Sequence, residues 1–197
     1  MQALGDNKMT TATLDAQVNA RWIALWLAVC AVTIFGMILL GGVTRLTESG
    51  LSMVDWRPIM GVIPPLTEAQ WLATFAEYQQ YPEYQKINQG MDLAGFKQIF
   101  LFEYLHRVLG RLIGLMYFVP LVIFALRKMI APQLLPTLIL LLILGAAQGL
   151  LGWYMVKSGL VDRPSVSQYR LTAHLGVAVA IYALMMWLVL RVSSGLS

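Results

Sequence analysis

Charge is what this sequence most lacks. Asp, Glu, Lys and Arg make up 12% of its 197 residues, against about 25% in a soluble domain. With 58% hydrophobic residues and a mean hydropathy of +0.68, that scarcity excludes an ordinary soluble globule and places the chain in a membrane. Cysteine is nearly absent too. The one thiol, Cys30, lies inside an apolar run, which rules out an intramolecular disulfide and argues against a thiolate metal site. Histidine occurs twice, as His106 and His174. The net charge of +4 comes from scattered basic residues, so nothing points to nucleic acid. The amino-terminal stretch MQALGDNKMTTATLDAQVNAR holds Asp6 and Asp15 and lacks the Arg-rich, acid-poor character of an organelle transit peptide. The apolar segment behind it is too long for a cleavable signal and reads as an uncleaved anchor.

Long apolar runs are what the sequence has in plenty. About 20 apolar residues cross a bilayer as a helix, and four segments reach that length, at about 22–43, 99–126, 134–156 and 171–190. The expectation is an all-α membrane protein: a four-transmembrane-helix bundle forming one domain over 1–197, embedded in lipid, with a long surface loop of about 44–98. Trp22, Trp26, Trp153 and Trp187 fall near span ends, where interfacial aromatics collect. The loop opens with TESGLSMVDWRPIMGVIPP, whose Gly50, Pro58, Gly61, Pro64 and Pro65 forbid regular helix. A short amphipathic helix should follow, started by a Thr67–Gln70 capping box and marked by Trp71, Phe75 and Tyr78 at helical spacing. Asp92 is placed to cap the second span, and the loop is expected to lie over the bundle as a lid. Charge does not fix the orientation, since every connection carries cations.

The second span opens with FEYLHRVLGR, which puts Glu103, His106, Arg107 and Arg111 where hydrocarbon is expected. Charged side chains there cost a few kcal/mol each on insertion scales, so they face partners or cavities. In an up-and-down bundle the second and fourth spans start on one membrane face, and His106 and His174 then lie at like depth. Two such imidazoles can ligate one haem iron from opposite sides. Gly110 and Gly114 share the His106 stripe and leave room for a flat ring. Arg107, Arg111 and Arg170 are candidates for the haem propionates, because Arg forms forked hydrogen bonds with carboxylates; Arg45 and Arg57 in the loop are weaker ones. Plainer readings stand beside these. Glu103 and Arg107 form an i,i+4 pair that can simply neutralise itself, and a membrane histidine often serves as a helix–helix hydrogen bonder. Gly145 and Gly149, with Gly152 a turn on, read as close helix packing, Gln148 as an interhelical hydrogen bonder, and Met185 and Met186 as lipid or core contacts.

The stretches GGVTRLTESGLSMVDWRPIMGVIPP, YPEY, FEYLHRVLGRLIG, GLLGWYMVKSGL and VSQYRLTAHLG resemble haem A synthase, in the class without a loop cysteine pair found in mitochondria and many proteobacteria. The resemblance runs from about Trp22 to the C-terminus and covers the N-terminal four-helix half of that family. It implies oxidation of a haem O methyl group to the formyl group of haem A, by two successive hydroxylations and loss of water, for cytochrome oxidase biogenesis. It makes His106 and His174 the iron ligands of the substrate half, Glu103 the acidic residue beside the reacting group, and Arg107 and Arg111 propionate or packing residues. It also implies an extracytoplasmic loop, a bacterial inner membrane (or a mitochondrial one), and haem O synthase and an electron acceptor as partners. Family members carry a second four-helix half with a haem b. The chain is therefore expected to be a fragment, a half-size form acting as a homodimer, or a single-haem relative without the oxidation. Two other classes compete: a bis-histidine haem b electron carrier, and a haem-free membrane assembly factor.

Overall fold

The computed structural model describes residues 2–54, 63–161 and 165–195. It is all-α among the described residues, in the order α1 (Gln2–Leu46), α2 (Glu68–Tyr78), α3 (Pro82–Lys86), α4 (Leu93–Leu126), α5 (Leu135–Val161) and α6 (Gln168–Ser193). The four helices expected to cross a membrane are all present and apolar enough to do so, over Ala16–Leu46, Leu93–Leu126, Leu135–Lys157 and Gln168–Ser193. The chain is a multi-pass membrane protein with a long connection between its first two spans. Two helices start well before the apolar segments expected of them. α1 reaches back to Gln2, because an established helix propagates cheaply through residues such as Ala, Gln, Leu and Met. α4 begins at Leu93, where the Asp92 carboxylate accepts from the Gly95 amide at 2.8 Å, the cap the sequence foreshadowed.

The chain divides into two compact units. One comprises Met1–Phe35, Ile113–Ala146 and Val179–Ser197. Its core follows helical periodicity: Ile23, Leu27, Cys30 and Ile34 on α1, Leu134, Leu138 and Leu141 at α5, and Ile181, Met185, Leu188 and Val192 on α6 are all buried. Such i, i+3/i+4 stripes give each helix one inward face. Pro120 lies inside α4 and has no N–H to offer the carbonyl four residues back. That carbonyl, of Met116, is taken up instead by the Trp26 indole N–H at 2.9 Å and the Cys30 thiol at 3.8 Å. Trp26 is thus a buried hydrogen-bond donor, 8% exposed, not the interfacial aromatic its position suggested. Met185 is a core residue.

The other unit comprises Gly36–Leu112 and Ala147–Ala178. Here α1 ends in a Schellman turn, with the Ser49 amide on the Thr44 carbonyl at 3.0 Å and the Glu48 amide on the Arg45 carbonyl at 3.3 Å. Glu48 takes the left-handed position at φ 52°, where glycine is the usual occupant. The chain is redirected at once, and Ser49 and Ser52 become fully buried. Farther along, α2 starts with the expected capping box, in which Thr67 accepts from the Gln70 amide and the Gln70 side chain accepts from the Thr67 amide. Trp71, Phe75 and Tyr78 then pack against Phe96, Ile99 and Phe100 of α4, in ring pairs such as Phe75–Phe96 at 5.0 Å and Trp71–Phe100 at 5.0 Å. That aromatic cluster holds the loop on the first turns of α4 and accounts for the helix's early start. Residues 55–62, including Arg57, Pro58 and Gly61, and residues 162–164, including Arg163, lie outside the described residues.

Candidate functional site

All the chemistry-bearing residues of the second span that the sequence singled out lie in this second unit. Glu103, 3% exposed, is the most tightly held of them. Its Oε2 accepts from the Ser52 hydroxyl and from the Met53 amide, both at 2.8 Å. Its Oε1 pairs with the Arg107 guanidinium one helical turn on. Arg107 also donates to the Met53 carbonyl at 2.9 Å. A buried carboxylate costs several kcal/mol unless paired and hydrogen-bonded; here the loop and Arg107 supply both.

The two histidines are held differently. His106 and His174 belong to the same compact unit. The Nδ1 atom of each imidazole is buried and has no hydrogen-bond partner. Each ring rests on a glycine from another helix. A Cβ on Gly41 of α1 would stand 3.0 Å from the His106 Cε1, and one on Gly152 of α5 would stand 3.5 Å from the His174 Cε1. Gln148, also on α5, donates from Nε2 to the His174 carbonyl at 2.9 Å, which is the interhelical bond expected of it. Its Oε1 is buried without a partner. Orphaned buried polar atoms are rare in a finished structure and call for an explanation such as a missing ligand.

The remaining candidates divide. Arg111 follows Arg107 one turn along α4. Arg170 is laid over the Tyr154 ring, 3.6 Å from its centroid, and donates to the Tyr154 carbonyl at 2.8 Å, so it clasps α5 to the start of α6. Arg45 is exposed. A Cβ on Gly110 would stand 3.3 Å from the Met37 methyl carbon, and one on Gly114 would meet nothing within 4 Å. Gly145 and Gly149 do not serve close packing within the described residues, since a Cβ on either would meet nothing within 4 Å. Sequence reasoning missed Gly41, Ser52 and Met53. Gly41 and Gly42 were visible as a glycine pair near the end of the first span, at the same end of the helix order as His106; the other two gave no local signal. No group of three or more His, Cys, Asp or Glu able to hold a metal ion occurs among the described residues.

A second buried carboxyl lies in the loop. Glu83, 4% exposed, accepts from the Tyr78 hydroxyl at 3.1 Å, whose oxygen accepts in turn from Asn88 at 2.8 Å. Burial pushes its carboxyl up to about 8, the Glu103 and Glu48 charges add to the effect, and the Tyr78 hydrogen bond opposes it.

Comparison with known proteins gives a consistent picture. Residues 24–196 match the family model COX15-CtaA, described as cytochrome oxidase assembly protein. A haem A synthase of Nitrosospira multiformis is 52% identical over 185 residues, covering 91% of this chain and 52% of its own length. Those of Nitrosomonas eutropha and Paramagnetospirillum magneticum are 53% and 54% identical, covering 95% and 87% of this chain and 53% and 49% of their own lengths. The chain thus spans about half the length of the curated relatives it matches. No solved structure matches it.

Proposed function

Because this chain belongs to the COX15-CtaA family of cytochrome oxidase assembly proteins, we propose that it binds haem O between His106 and His174 and takes part in oxidising a haem methyl group to the formyl group of haem A. The observation that carries the reading is the histidine pair itself: two imidazoles in one compact unit, each on a glycine of a neighbouring helix, each with a buried nitrogen left without a protein partner. Neutral imidazole is a natural axial ligand of haem iron. The bound haem would supply the iron and the methyl group to be oxidised.

In this reading the protein's own residues do three things. His106 and His174 fix the ring by its iron, and the glycines beneath them allow the close approach. Glu103, one turn before His106, would be the acidic residue beside the reacting group, there to stabilise positive charge or take a proton from water. Arg107 balances Glu103, and Arg111 would be the propionate residue of this reading. Membrane lipid surrounds the spans, the loop faces the extracytoplasmic side of a bacterial inner membrane, and haem O synthase and an electron acceptor are the expected partners.

One observation favours a second reading, a bis-histidine haem b electron carrier: both Glu103 oxygens are already engaged by the loop and by Arg107, as a purely structural ion pair would have them. Glu103→Gln separates the two. The synthase reading expects bound haem and lost haem A, whereas the carrier reading expects unchanged function. Extraction of the pigment from the purified chain tests both at once. Haem O or haem A supports the synthase, haem B alone supports the carrier, and no haem refutes both.

A further inference from the structure

We propose that Ser52 is a positioning residue for Glu103, acting with the Met53 amide to fix the carboxylate's orientation from the loop. The proposal rests on the reading of Glu103 as the acid beside the substrate. Ser52 is fully buried, and its hydroxyl has three acceptors within reach: the Ser49 carbonyl at 3.0 Å, the Ile99 carbonyl at 3.4 Å and Glu103 Oε2 at 2.8 Å. It has one hydrogen to give. The carboxylate is both the nearest acceptor and the charged one, and charge-assisted bonds are roughly twice as strong as neutral ones. Ser52 and Met53 therefore converge two donors on a single oxygen, while Arg107 ties the other oxygen to the Met53 carbonyl. The result is a closed ring of contacts through Glu103, Met53 and Arg107.

Backbone geometry sets up this ring. The turn at Glu48 reverses the chain at the end of α1, and the Ser52 amide bonds the Ser49 carbonyl at 3.5 Å. The Thr47 and Ser49 hydroxyls, 2.6 Å apart, brace the turn. Ser52 and Met53 then meet Glu103 across 51 and 50 residues of sequence. A serine needed only to finish a turn has no reason to reach a buried carboxylate on another helix. Its loss should loosen one oxygen of Glu103 and leave the histidine pair alone, because no hydrogen bond joins Ser52 to either histidine.

The test uses the full chain, purified in detergent, with Ser52→Ala and the weaker donor Ser52→Cys. Infrared difference spectra, with Glu103→Gln identifying the Glu103 carboxylate band, read the positioning directly. Protohaem titration reads the histidine site, and haem O turnover reads the consequence. Ser52→Ala should move the carboxylate band, and Ser52→Cys should move it less. Protohaem affinity should stay within about twofold and kcat should fall roughly 10- to 100-fold at unchanged KM, as for misplaced catalytic groups. An unmoved band overturns the proposal, as does a loss of turnover that simply tracks lost haem affinity. A moved band with wild-type turnover upholds the positioning by Ser52 and refutes the catalytic reading of Glu103.

Discussion

Replacing Gly41 with alanine should damage haem binding without damaging the fold. An added Cβ would stand 3.0 Å from the His106 Cε1 and 3.6 Å from its Nδ1, where ordinary contacts lie at 3.4–4 Å. The imidazole must therefore retreat by a few tenths of an ångström. Metal–ligand distances tolerate shifts of only about 0.2 Å, so the ring cannot retreat and still ligate in its original geometry. A disturbance next to a ligand typically costs about 10- to 100-fold in metal affinity, or roughly 1.4–2.8 kcal/mol. The helix responds in the opposite sense, because alanine in a helix interior is favoured over glycine by about 1 kcal/mol. Gly41→Ala should thus bind haem less tightly while melting no earlier than the parent. Two controls bracket it. Gly42→Ala meets nothing within 4 Å and should be neutral, and Gly152→Ala, at 3.5 Å from the His174 Cε1, should have a small effect. Protohaem titration followed by absorbance, with thermal melting of the haem-free chain, checks all three. Equal haem affinity for Gly41→Ala and Gly42→Ala would refute the claim that the His106 ring is the haem-binding group seated on α1.

Variants at Glu83, Thr67, Glu48 and Trp26 probe other parts of the fold. Glu83 holds its proton more tightly folded than unfolded, with its carboxyl at about 8 against 4.5. Its contribution to stability is therefore complete below about 4.5 and lost as pH rises through 8, by at most roughly 5 kcal/mol; the melting of the loop cluster should fall over that window, and Glu83→Gln should flatten the slope. Thr67→Ala removes the α2 cap and should destabilise the loop by about 1 kcal/mol, read as earlier protease cleavage within it. Glu48→Gly relieves the left-handed residue and should leave stability unchanged or raise it by up to about 1 kcal/mol in a melt, whereas Glu48→Val should lower it. Trp26→Phe leaves the Met116 carbonyl only the weak Cys30 thiol donor at 3.8 Å and should cost about 1 kcal/mol, a cost that the double variant with Pro120→Ala should reduce, since it restores an N–H to that carbonyl.

The sequence made the helices readable because a membrane span announces itself by composition and length, without any knowledge of its neighbours. The α2 cap and the Asp92 cap were legible for the same reason: their partners lie three residues away. His106, His174 and Glu103 stood out as polar groups in apolar runs, and Gln148 as an interhelical donor. What could not be read was set by partners remote in sequence. Nothing local marks Ser52 and Met53 as the groups that close on Glu103, and nothing marks Gly41 as the floor of His106. Nor does spacing tell a packing glycine from an open one: a Cβ on Gly145 or Gly149 would meet nothing within 4 Å among the described residues. The extra turns of α4 follow from the aromatic cluster on Phe96 and Phe100, whose partners come from the loop. Trp26 was misread because its hydrogen bond depends on a carbonyl freed by Pro120 on a different helix.

The most direct measurement is the coordination state of haem bound to the purified chain, by low-temperature electron paramagnetic resonance and absorption, for the parent, His106→Ala and His174→Ala. The parent should show a six-coordinate low-spin iron with two imidazoles, and each single substitution should convert it to a five-coordinate or unbound form. A parent that takes up no haem, or a six-coordinate iron that survives either substitution, would contradict the histidine pair as the haem site.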